Sequence, residues 1–181
     1  MKTFVFWMLL ASMLGFIKLL ALAYAMPIDV YGQYITYFGL AAFTGTLMSV
    51  GSVEQTVKAY PRQWISGQPL IILRDAGRIA KVQILCFLLV GSVALVLSYF
   101  QLVPVTTTAV LLITGLGVCT SLLALLGSLY RAAGSQKTLQ NFSLWRSVAT
   151  LCIVLPAGTI FGWVGALSGE IVANLISIQI G

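Results

Sequence analysis

Apolar residues in this chain fill whole segments and do not mark one stripe, with short polar stretches dividing one segment from the next. A helix needs about 20 apolar residues to cross a hydrocarbon layer roughly 30 Å thick, because each residue advances about 1.5 Å. On that measure the pattern predicts six spans, at 4–25, 33–52, 82–100, 105–130, 144–161 and 163–180. A glycine-rich turn around Gly158 and Gly162 separates the last two. The expected fold is all-α, a polytopic transmembrane bundle forming a single six-helix lobe over 1–181. In the connection at 53–81, the clusters Trp64-Ile65 and Leu70-Ile71-Ile72-Leu73 lie between basic residues, the pattern of an amphipathic piece on the membrane surface. Pro104 is placed to cap the fourth span and Pro156 to kink or end the fifth. Trp145 and Trp163 are placed as interfacial anchors.

Composition supports the membrane reading: 60% of the residues are hydrophobic and 8% charged, and mean hydropathy is +1.03. Charge then orients the spans, because short cytoplasmic loops retain Lys and Arg. Lys2 precedes the first span, and the next connection, 26–32, has no basic residue. The following one carries Lys58, Arg62, Arg74, Arg78 and Lys81, and 101–104 carries none. Arg131, Lys137 and Arg146 surround the fourth connection, and the fifth has no charge. The pattern predicts a cytoplasmic N-terminus and a cytoplasmic connection at 53–81. The net charge of +6 is assigned to this topology and to anionic membrane lipids, not to nucleic acid. Lys2, the apolar run and Ala23-Tyr24-Ala25 also resemble a cleaved signal peptide, but the run is long enough to span and is expected to be retained.

Missing residue types remove several chemistries. With no histidine there is no imidazole catalysis and no His-based metal site. Cys86, Cys119 and Cys152 lie in different spans without paired spacing, and read as small apolar packing residues. The match to a glycosylation acceptor at Asn141-Phe142-Ser143 falls in a cytoplasmic connection and reads as chance. No phosphate-cradling glycine loop is present, and no cofactor or metal is expected.

Candidate chemistry therefore lies in polar residues inside the spans. Lys18 shares a helix face with Ala11, Gly15, Ala21 and Ala25, a small-residue face of the kind that contacts other helices in lipid. Two placements stay open: the lysine faces a cavity, or it snorkels about 10 Å to the outer headgroups. In the fourth span Thr107, Thr114, Ser121 and Ser128 recur every seven residues, either as a packing seam of self-bonded hydroxyls or as the wall of a hydrated cavity. In the sixth, Gly165, Gly169, Ala173 and Ser177 recur every fourth residue, beside a polar stripe of Glu170, Asn174 and Ser177. Glu170, isolated at that depth, would be a proton or cation site unless Lys18 or Arg146 neutralises it.

Three stretches resemble polysaccharide-biosynthesis membrane proteins. Ala25-Met26-Pro27-Ile28-Asp29-Val30-Tyr31-Gly32-Gln33-Tyr34 is similar to the link after that family's first helix. Val50-Gly51-Ser52-Val53-Glu54-Gln55-Thr56-Val57-Lys58-Ala59-Tyr60-Pro61-Arg62 resembles the cytoplasmic end of its second, and Tyr130-Arg131-Ala132-Ala133-Gly134-Ser135 the exit from its fourth. The resemblance runs from about Phe4 to Ile180 and is to the O-antigen-type oligosaccharide flippases of the multidrug and oligosaccharidyl-lipid exporter superfamily. It implies a multi-pass protein of the bacterial inner membrane in which two six-helix lobes move polyprenyl-diphosphate-linked oligosaccharides by alternating access. Lys18, with Thr114 and Ser121, would then line the substrate cavity, and Glu170 with Asn174 would couple an ion. At 181 residues the chain accounts for one lobe, so a second lobe is an expected partner. Alternatively the chain is a non-transporting subunit or scaffold of a polysaccharide-synthesis complex. An enzyme is disfavoured, because Asp29, Glu54, Asp75 and Glu170 are its only acids.

Overall fold

A computed structural model describes residues 2–49, 52–66, 69–102 and 105–180. They form six helices and, among the described residues, no strand. The helices are α1 (Lys2–Ala25), α2 (Ile28–Ser49), α3 (Ser52–Ile65), α4 (Pro69–Tyr99), α5 (Thr107–Ala132) and α6 (Gln136–Ile180). Among the described residues, four stretches are long and apolar enough to cross a membrane: Val5–Ala25, Leu70–Tyr99, Thr107–Ala132 and Gln136–Gln179. α2 has the length, but Asp29, Gln33, Thr36, Thr44 and Thr46 dilute its apolar character.

The helix ends follow local chemistry. Asp29 lies in the first turn of α2, where a carboxylate complements the helix dipole. α4 closes with Gln101 in the left-handed region (φ 56°), and Leu102 N–H bonds the Leu97 carbonyl at 3.0 Å. Pro104 and the Val50-Gly51 pair lie outside the described residues. The cap of α5 is Thr106, whose hydroxyl accepts from Ala109 N–H at 3.3 Å, and Gly134 (φ 68°) follows the far end. α4 begins at Pro69, ahead of the span expected at 82–100, because helix geometry continues past the edge of the apolar run. α6 likewise starts at Gln136, eight residues before 144. Pro156 lies within α6, and the break falls at Gly162, whose φ of 63° and ψ of −146° are non-helical.

That break makes α6 a hairpin of two arms, 136–161 (α6a) and 163–180 (α6b). A Cβ added at Gly169 would lie 3.1 Å from Val154 Cα, and one at Gly165 would collide with Ala157. Residues fifteen apart on a continuous helix are about 22 Å apart, so these contacts require antiparallel arms. Glycines every fourth residue let the backbones approach.

The chain divides into two compact units, 1–40 with 136–181, and 41–135. In the first, α1 lies along α6. Ser147 Oγ donates to the Ala11 carbonyl at 3.0 Å, and Gly158 sits against Leu22 and Met26. Both pairs have nearly the same offset, so α1 runs parallel to α6a. In the second unit Gly45 meets Thr120, Gly91 meets Thr114, and Gly117 meets Phe87 and Thr44. Tyr60, Ile72 and Ala76 form a buried cluster with Leu129 and Ala132 that fastens α3 and the start of α4 to α5. Burial there pushes the Tyr60 phenol above its ordinary pKa, and Asp75 adds to the rise.

Replacing Gly162 by Ala puts a Cβ at a positive φ, against Val30 Cγ1 at 3.3 Å. It is expected to cost about 1–2 kcal/mol of unfolding free energy in detergent. The same change at Gly39, which has open space around it, should leave the melting temperature unchanged or slightly higher.

Candidate functional site

Of the expected small-residue face of α1, Ala11 and Lys18 are buried, Gly15 and Ala21 are half-buried and Ala25 is exposed; Leu22 is enclosed beside Lys18, while Phe16 and Leu20 point outward. Lys18 therefore turns into the first unit, and the snorkelling placement is not the one adopted. Its Nζ forms an ion pair with Glu170 Oε1 on α6b, with only 8% and 4% of the two side chains exposed. The fully buried Tyr34 on α2 donates its hydroxyl to the same oxygen at 2.9 Å. Lys18 Nζ also lies 5.3 Å from the centroid of the Phe38 ring, one turn along from Tyr34. Three helices thus converge on one carboxylate oxygen.

A second polar contact lies one turn further along α6b. Asn174 Oδ1, buried, accepts from Arg146 Nε of α6a at 3.1 Å. From sequence Arg146 flanks the fourth connection, at the start of the span expected over 144–161. In the structure it lies ten residues into α6, about 15 Å from the start of the helix. Ser177, the third member of the stripe, donates to the Ala173 carbonyl at 2.8 Å. Glu170 and Asn174 thus each hold a cation by a direct contact.

The charge balance of this cluster is uneven. One carboxylate faces two cations, and Lys18 takes it. Arg146 makes no ion pair among the described residues; Nε is engaged, and four N–H donors remain on its terminal nitrogens. An apolar lobe with a surplus guanidinium favours anions. Glu170 is not the isolated carboxylate that would act as a free proton or cation site.

Thr114 and Ser121 belong to the second unit and do different work. Thr114 Oγ1 donates to the Val110 carbonyl at 2.8 Å, and Ser121 Oγ to that of Val118 at 2.9 Å. Ser128 donates to Leu125 at 2.7 Å and accepts from Thr56 Oγ1 at 2.8 Å. These bonds match the packing-seam alternative. Thr114 also lines an apolar cavity of about 220 Å³ with Phe87, Val90 and Ile113. No cluster of three metal-ligating side chains occurs among the described residues.

Sequence inspection missed Tyr34, and it named Arg146 only as a possible counter-ion of Glu170, not as the partner of Asn174. The usable signal for Arg146 was the i, i+4 pair Glu170 and Asn174, since an antiparallel hairpin places a residue near 146 opposite 174. Tyr34 carried no signal beyond its place in the aromatic segment at the start of α2. No protein-family model, curated protein or solved structure matches the chain. Fold and site define an all-helical protein with membrane-type apolar helices and a buried, ion-paired polar cluster.

Replacing Lys18 by Met leaves the Glu170 carboxylate buried without its cation and is expected to cost about 3–5 kcal/mol. The double change Lys18→Met, Glu170→Gln should cost less than Lys18→Met alone. Unfolding of the four proteins in detergent measures this coupling. Tyr34→Phe removes one hydrogen bond to a charged acceptor, and about 1.5–3 kcal/mol should go with it.

Proposed function

We propose that this protein is a lobe of a membrane transporter, a flippase that moves polyprenyl-diphosphate-linked oligosaccharides across the bacterial inner membrane for O-antigen or related polysaccharide synthesis. One observation carries the reading: Lys18, Arg146 and Glu170 are brought together inside an apolar helical lobe, leaving a surplus positive charge. Ionisable groups inside a membrane are costly and mark substrate or ion pathways. The diphosphate of such a substrate complements that surplus, with Arg146 the cation left free to meet it. In this reading α1, α2, α4, α5 and the two arms of α6 are the six spans. The N-terminus and the 53–81 connection are cytoplasmic, the side that the basic residues favour. The lobe acts with a second lobe across a central cavity and performs no covalent chemistry. Thr114 and Ser121 contribute to the cavity wall as packing residues, and Glu170 with Asn174 supports the cation pair that an ion gradient would act upon.

A second reading has its own observation. Lys18 and Glu170 neutralise each other, as a structural ion pair does, which suits a non-transporting subunit or scaffold of a polysaccharide-synthesis complex.

Arg146→Gln in the native cells separates the two. The flippase reading expects loss of surface polysaccharide and accumulation of lipid-linked oligosaccharide at the cytoplasmic face, with normal protein levels. Normal export at normal levels would sink it and favour the scaffold. Expressed alone in a flippase-deficient strain, the chain is expected not to restore export; rescue by a monomer would remove the second lobe from the proposal.

A further inference from the structure

The first three turns of α4 carry a charge pattern that the transport reading does not use. Ile72, Ala76, Gln83 and Phe87 are its buried stripe, and Tyr60 with Leu129 and Ala132 holds this end of the helix in place. Arg74, Arg78 and Lys81 follow at i, i+4 and i+7, so they fall within about 60° of one another on the side opposite that stripe. All three are exposed. Further along the same outward side the residues become apolar, with Leu85 66% and Leu88 62% exposed. The change is abrupt and falls between Lys81 and Val82.

Helix length places that change at the edge of the hydrocarbon. α4 has 31 residues, about 46 Å, against roughly 30 Å of hydrocarbon. Twenty residues counted back from Tyr99 reach Ala80. Lys81 then lies at the boundary, Arg78 about 3 Å beyond it, within the roughly 5–8 Å headgroup layer, and the Arg74 backbone about 9 Å beyond, just past the outer edge of that layer and within reach of its long side chain. Leu70 and Leu73 are exposed beside the cations, and Trp64 on α3 is half exposed, as interfacial anchors are. The nearby acid, Asp75, lies 3.8 Å from Arg78 on an exposed surface, where such a pair is weak.

We infer that the outward face of α4 from Arg74 to Lys81 is a binding surface for anionic phospholipid headgroups, each cation meeting a lipid phosphate. A lipid is the occupant because the same helix face continues directly into the apolar surface that acyl chains cover. The inference holds whether or not the lobe transports.

The test uses the purified full chain in a neutral detergent, titrated with short-chain phosphatidylglycerol or phosphatidylcholine and followed by native mass spectrometry. The expected result is a preference for phosphatidylglycerol that weakens with salt. Each of Arg74→Gln, Arg78→Gln and Lys81→Gln should lower its affinity about fivefold, and the triple variant should show no preference. The charge-preserving variant Arg74→Lys, Arg78→Lys, Lys81→Arg should retain it, and the single changes remain readable if the triple protein does not fold. Equal affinity for the two lipids would overturn the proposal, as would an unchanged triple variant. Inorganic phosphate displacing the lipid as effectively as fresh phosphatidylglycerol would overturn it too. An equal drop in Lys137→Gln, an exposed cation on α6, would assign the effect to net charge and reject the stripe.

Discussion

A bilayer core offers no water to a stranded polar group, and every charged or hydrogen-bonding atom that enters it must find its partner within the protein or face a water-filled cavity. Lys18 and Glu170 meet that condition together, and Tyr34 completes it. These contacts place α1, α2 and α6b side by side, since the carboxylate oxygen is shared by groups from two other helices. Glycine spacing on α6b then lets α6a approach closely enough for Arg146 to reach Asn174. The polar contacts fix the register of the first unit, and the small residues make that register sterically possible.

The second unit solves the same problem by other means. Its buried hydroxyls return to carbonyls three or four residues behind them, so each helix largely satisfies its own polar side chains. Contact between helices depends on glycines meeting side chains, as Gly91 does Thr114 and Gly117 does Phe87. Thr56 and Ser128 are an exception, a hydroxyl pair joining α3 to α5. The two units therefore differ in kind: one is held in register by charge, the other by shape.

Much of this was legible in the chain itself. The small face of α1 identified the buried side at Ala11 and Lys18 but not at Ala25, the separation near Gly162 fell where the backbone turns, and Lys18 and Glu170 were each conspicuous as charges within apolar runs. What was not legible has physical causes. Hydropathy marks where hydrocarbon can begin and is blind to where helical hydrogen bonding begins, so α4 and α6 start 13 and 8 residues ahead of the spans expected within them. With the fifth span expected to start at 144, Arg146 lay only two residues inside it and read as a flanking cation. The ion pair could not be derived, because the meeting of residues 152 positions apart depends on the packing of the whole unit.

That separation has a consequence for how the protein is made. Lys18 is synthesised 152 residues before its carboxylate, roughly 8–30 s at ordinary elongation rates. During that interval α1 is a membrane helix carrying an unneutralised lysine, tolerable at about 2.5–3.5 kcal/mol on insertion scales. Arrival of the hairpin with Glu170 ends the wait. The element that locks α1 is thus one made 152 residues after it.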